Sequence, residues 1–168
     1  MAASNSRPEV ADRRAELRGW LQLVLHTGAV TRAGRRRLAE QVADCDLSEQ
    51  EFLVLWLCGD QSLMHRGQGE LAEVVGVSAA QMSGLVERLR RRSLLRFERL
   101  GTDRRRQVWQ LTDEGHSLLA ELCQLLSSQA AELRGQLTSA EQLQLLALLE
   151  RWLPAAAADQ GGPSSCAA

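Results

Sequence analysis

Between Ser78 and Leu126 the spacing of apolar residues changes twice, and few folds accommodate both changes. Met82, Leu85, Val86 and Leu89 stand at i, i+3, i+4 and i+7, which places them on one face of a helix. Leu95 and Phe97 then alternate with Arg96 and Glu98, and Trp109 and Leu111 alternate with Val108 and Gln110. That period of two belongs to strands. The segment between them contains Gly101, Thr102 and Asp103, a turn composition. From Leu118 through Leu122, Leu125 and Leu126 the helical period returns. A helix, a β-hairpin and a long helix in direct succession predict a mainly α fold with one small hairpin whose inner face lies on the core.

The segments before Ser78 read as helices. Leu17, Leu21 and Val24, and later Leu38 and Val42, predict a first helix from Ala11 to about Val42, with Gly28 and Gly34 able to bend or split it. Ser48 followed by Glu51 is a capping box that starts a second helix, with Phe52, Leu55 and Trp56 as its apolar stripe. A short helix from Glu70 to Val75 turns Leu71, Ala72 and Val75 inward, and Gly76 ends it in the left-handed conformation. Ser78 and Gln81 form a second capping box. Two helices joined by a glycine turn make a helix-turn-helix, and the second presents Ala80, Ser83, Gly84, Glu87, Arg88 and Arg91 on its outer face. Thr112 caps the long helix, whose stripe continues to Leu133 and Leu137. Thr138 with Glu141 starts a last helix that carries leucines on more than one face and ends at Pro154. Such a helix usually covers another chain, and that is the expectation here.

The organisation that follows is a disordered N-terminus over 1–10, a dimerising helix over 11–46, a helix-turn-helix lobe with hairpin over 47–111, dimerising helices over 112–154 and a disordered tail over 155–168. The net charge of −1 conceals a division. Between Ser78 and Arg106 nine arginines face three carboxylates, whereas from Thr112 onward seven carboxylates face two arginines. A basic middle points to a polyanion and an acidic C-terminal third to something else. All the basic residues are arginine. With no secretory apolar segment at the N-terminus and no CxxC pair among Cys45, Cys58, Cys123 and Cys166, the expectation is a cytoplasmic protein with reduced thiols and no membrane span.

The stretches LSEQEFLVLWLC, ELAEVVGVSAAQMSGLVERLRRRSLL and RFERLGTDRRRQVWQLTDEG carry a resemblance to the MarR family of winged helix-turn-helix transcription regulators. The resemblance spans roughly Leu47 to Leu119 in detail, and the flanking helices in kind. Its most specific part is Asp103-x-Arg105 followed by a strand and Leu111-Thr112-x-x-Gly115. It implies a homodimer joined by the terminal helices, two recognition helices about one turn of double-stranded DNA apart, and a palindromic operator, most often under repression. It also implies that Arg105 enters the minor groove, that Asp103 braces it and that Arg104 and Arg106 meet flanking phosphates. A narrow groove concentrates negative potential and favours an inserted guanidinium.

On the recognition helix, Ala80, Gln81, Ser83 and Gly84 would face the major groove. Gln81 suits adenine but is also the capping partner of Ser78. Arg88 and Arg91 would reach phosphate rather than base. Two departures from the family stand out. Ser93 occupies the position where glycine usually follows the recognition helix, and the absence of tyrosine argues against the peroxide-sensing subgroup. Many relatives of this kind bind a small, often aromatic or phenolic anion, for which Trp20, His26, Trp56, Cys58 and Met64 are candidate contacts by position and type.

Two other readings are open: a winged-helix dimer that docks a protein instead of DNA, and a thiol-based redox regulator. The arginines at 88, 91 and 104–106 weigh against the first. Against the second, Cys58 sits inside an apolar helix and Cys45 lies between Asp44 and Asp46, which disfavour a thiolate. His26, His65 and His116 are too far apart in sequence for a metal motif. No phosphate-binding glycine loop, nucleophile elbow or HExxH motif suggests an enzyme or a cofactor.

Overall fold

A computed structural model describes residues 6–60, 67–99, 107–128 and 137–152. They form two compact units, one up to Ser128 and one from Gln129 onward. In chain order the first contains α1 (Ser6–Val42), a 3-10 turn (Ala43–Cys45), α2 (Glu49–Gly59), α3 (Gln68–Val75), α4 (Ala79–Arg91), strands β1 (Leu95–Arg99) and β2 (Gln107–Leu111), and α5 (Asp113–Ser128). The second contains α6 (Ser139–Trp152).

α1 is one unbroken helix. It begins at Ser6, inside the stretch expected to be frayed, and runs through Gly28 and Gly34 without a split. Pro8 is tolerated in the first turn, where amides lack intrahelical acceptors anyway. A helical glycine costs about 1 kcal/mol but does not break a helix alone. Among the described residues of α1, the C-terminal end joins the core, through buried Val42 and partly buried Leu38.

The core forms around α2, which packs against α1, α3, α4, β2 and α5. The sequence pattern suggested one stripe of Phe52, Leu55 and Trp56. In the fold, Phe52, Val54, Leu55, Leu57 and Cys58 are all buried, and Trp56 is the exposed member. A helix enclosed by five elements has no single inner face, so its own periodicity misleads. Met82, Leu85, Val86 and Leu89 of α4 are buried against it, as is Leu122 of α5.

The hairpin is antiparallel with Leu95 opposite Leu111 and Phe97 opposite Trp109. Leu95 and Leu111 reach the core, whereas Phe97 is exposed and meets Trp109 edge-on at 5.7 Å. Val108, expected to face outward, is buried outside the main apolar cluster.

Both glycine-type helix ends are Schellman motifs. After α3, Gly76 has φ 75° and Val77 N donates to Ala72 O at 2.9 Å. After α4, Ser93 takes the same conformation at φ 56°, with Leu94 N donating to Leu89 O and Ser93 N to Arg90 O. The turn expected to need glycine therefore forms with serine, at the steric cost of a Cβ in the left-handed region. Ser93→Gly should stabilise the fold by about 0.5–1 kcal/mol, seen as a higher urea midpoint. A lower midpoint would show that the side chain contributes more than the strain costs.

The junction from hairpin to α5 explains Leu-Thr-x-x-Gly. Thr112 N donates to Leu94 O, and the Thr112 hydroxyl donates to Ser93 O while accepting from Gly115 N. A Cβ at Gly115 would lie 2.1 Å from the Leu94 carbonyl oxygen. The motif thus fastens the start of α5 to the residues that form the turn after α4.

Candidate nucleic-acid interface

The site is built on α4. Ser78 starts it with a reciprocal capping box: its hydroxyl accepts from Gln81 N, and Gln81 Oε1 accepts from Ser78 N and Oγ at 3.0 Å. The buried stripe holds one face on the core, so Ala80, Gln81 and Ser83 are exposed and Gly84 half-exposed. Because the cap occupies Gln81 Oε1, a bidentate adenine contact requires that cap to open, at about 1 kcal/mol.

Gln68, at the start of α3, joins the site although no sequence motif contains it. Its Nε2 donates to Ser83 Oγ at 2.6 Å, across the glycine turn. The pair brings a hydroxyl donor and an amide acceptor to the exposed face. No local pattern marks Gln68; only the crossing of α3 over α4 brings it there.

All the arginines of this helix end have protein partners. Arg88 Nε donates to Glu51 Oε1 at 2.9 Å. Arg90 Nε donates to Glu87 Oε2 at 2.8 Å, and Arg91 Nε to Glu87 Oε1 at 3.0 Å. Those hydrogen bonds from Arg90, then Arg91, draw the Glu87 carboxyl down to about 2. Arg92 donates to the Asp46 carbonyl. The charge excess counted along the sequence is thus partly neutralised within the fold, although the Arg88 and Arg91 side chains remain 56% and 72% exposed.

Glu51 is the buried partner among these acids. Burial alone would raise its carboxyl; hydrogen bonds from Ser48 and Arg88 outweigh that and hold it below the usual range. Its neighbour Glu49 is paired with Arg35 of α1. The start of α2 therefore gathers arginines from both α1 and α4.

Asp103, Arg104, Arg105 and Arg106 lie outside the described residues, as does Met64. Of the other candidate ligand contacts, Trp20 and Trp56 are each about half exposed. His26 is exposed and its Nδ1 is 2.7 Å from Gln22 O on the same helix. Cys58 is a core residue whose burial pushes the thiol up to about 12, which leaves it inert. Among the described residues no cluster of His, Cys, Asp and Glu could hold a metal, and no helix is long and apolar enough to cross a membrane.

A short helix, a left-handed glycine, a second helix with a small-residue outer face and a two-stranded hairpin define a winged helix-turn-helix. Residues 46–106 match the MarR family model. The chain is 30% identical over 115 residues to the HTH-type transcriptional repressor NicR of Pseudomonas putida, covering 68% of this chain and 71% of that protein. Its fold is similar to that of BpsR from Bordetella bronchiseptica, with a TM-score of 0.63 and 23% identity over 78% of this chain and 98% of that one. It is also similar to apo MarR from E. coli, with a TM-score of 0.60 and 24% identity over 80% and 96%. The chain belongs to the MarR family: it is a transcription regulator, not an enzyme.

Proposed function

We propose that this regulator is a homodimeric repressor that binds an inverted-repeat operator in double-stranded DNA. The observation that carries the reading is the exposed, capped N-terminal half of α4, held on the core beside the base of a hairpin. Exposed apolar residues support the dimer. On α1, Leu17, Trp20, Leu23, Leu25 and Val30 are exposed, and on α6 so are Leu143, Leu145, Leu146 and Leu148. Selection of fragments from random DNA by the full-length protein should enrich an inverted repeat with half-sites about one helical turn apart. No enrichment would overturn the reading.

Within it, Arg105 enters the minor groove. Arg105→Ala should weaken operator binding by about 1–3 kcal/mol; unchanged affinity in a folded variant would remove the hairpin tip from the mechanism.

The effector we propose is a small aromatic anion. BpsR is described as regulated in its DNA binding by 6-hydroxynicotinic acid, which supports that class of ligand. Trp20, His26 and Trp56 are the candidate contacts, together with Met64. Adding 6-hydroxynicotinic acid to the protein–operator complex should release DNA and change tryptophan fluorescence. Neither change would exclude that compound.

A further inference from the structure

Arg88 sits between a buried carboxylate and the exposed face of the recognition helix. Its Nε is bonded to Glu51 at 2.9 Å, and the Glu51 side chain is only 9% exposed. The other carboxylate oxygen, Oε2, accepts from Ser48 N at 2.9 Å and from Ser48 Oγ at 2.8 Å. Glu51 is therefore itself fixed, by the capping box of α2. At the other end of the guanidinium, Nη1 would lie 3.5 Å from a Cβ built on Gly84. The arginine thus folds back along α4 over its glycine, toward the half of the helix that carries Ala80 and Ser83.

A guanidinium has two usable edges in a rigid plane. Here Nε is taken by Glu51, and the Nη groups lie on the partly exposed side. We propose that Glu51 is a positioning residue for DNA binding: it presets the Arg88 guanidinium so that the Nη groups meet a backbone phosphate at the edge of the major groove. This rests on the DNA-binding reading above and names a residue for it that contacts no DNA. An arginine already held in its bound geometry loses less rotamer freedom on binding. Glu51 also neutralises part of the arginine's charge. The arrangement therefore favours geometry over raw electrostatic attraction, the balance expected of a contact that sets register.

Lysine at 88 separates these effects. Its single ammonium is a compact point charge without a second edge. Held by Glu51, it is withdrawn from phosphate; released, it is available. Glutamine at 51 keeps the capping box, since Gln serves at that position as Glu does. The test is a set of four full-length proteins: wild type, Glu51→Gln, Arg88→Lys and the double variant. Each is titrated against the inverted-repeat fragment selected by the wild type and against a random duplex of equal length, with thermal melts in parallel.

Glu51→Gln should weaken operator binding by roughly two- to tenfold when residue 88 is arginine, and should strengthen it when residue 88 is lysine. That reversal of sign is the expected result. Strengthening in both backgrounds, on operator and random DNA alike, would make Glu51 a mere counter-charge and overturn the proposal. Weakening in both, in step with a lower melting temperature, would make it a purely structural residue and also overturn it, as would no change in either. If the wild type selects no site at all, the DNA-binding reading fails first, and the melts still report whether the Glu51–Arg88 pair supports the fold.

Discussion

Gly115→Ala should unfold or severely destabilise the protein, by about 3 kcal/mol or more, the upper range for overpacking a rigid site. The added methyl would meet the Leu94 carbonyl oxygen at 2.1 Å and the Leu94 carbonyl carbon at 3.1 Å. These are backbone atoms, and the same oxygen already accepts from Thr112 N. Relief requires α5 to move away from the end of α4, which would pull Leu122 from the core. Gly34→Ala is the contrasting case. Nothing lies within 4 Å of a Cβ there, so the better helix former should add about 1 kcal/mol. Urea unfolding of the two variants should move in opposite directions. Equal, small effects at both sites would mean that the contact at Gly115 is not rigid.

If the proposed dimer is joined through α6, Leu145→Glu should convert the protein to a monomer and reduce operator affinity by about a hundredfold or more, the loss expected when two linked contacts become one. Leu145 is 43% exposed, and Leu146 and Leu148 beside it are exposed as well. In the proposed dimer the exposed leucines of α6 are covered by the partner. A buried carboxylate without a partner at a subunit contact would oppose association strongly. Light scattering gives the mass and a mobility-shift titration gives the affinity. A dimer that binds DNA as the wild type does would remove α6 from the interface. A monomer with unchanged affinity would sever dimerisation from DNA binding.

Much of the fold was legible because it is written in local chemistry. The three capping boxes at Ser48, Ser78 and Thr138 start helices within a residue of where the side chains imply. The switch of apolar period located the hairpin and its partner strands. Thr112 and Gly115 stood out as a motif before their contact with Leu94 supplied the reason. Where reasoning from spacing failed, the cause was neighbours. Trp56 fits an apolar stripe but is 45% exposed, whereas Leu57 and Cys58 beside it are buried. Val108 alternates outward and is nonetheless buried. Ser93 forms the turn in place of glycine because the hydrogen bonds of the Schellman motif and the packing of Leu94 and Leu95 hold it there.

Caps, turns and periodicity act over a few residues, so they mark which segments are helix and strand, where the capped helices begin and that the helix-turn-helix carries a hairpin; the start of α1 at Ser6 escapes them. The sequence also marked the arginines. Which side chains Arg88 and Ser83 meet is set by the tertiary structure. Glu51 lies 37 positions from Arg88 and Gln68 lies 15 from Ser83, and no local pattern pairs them. Side chains so distant along the chain meet only when helices cross, and the crossing is set by packing of the whole core around α2.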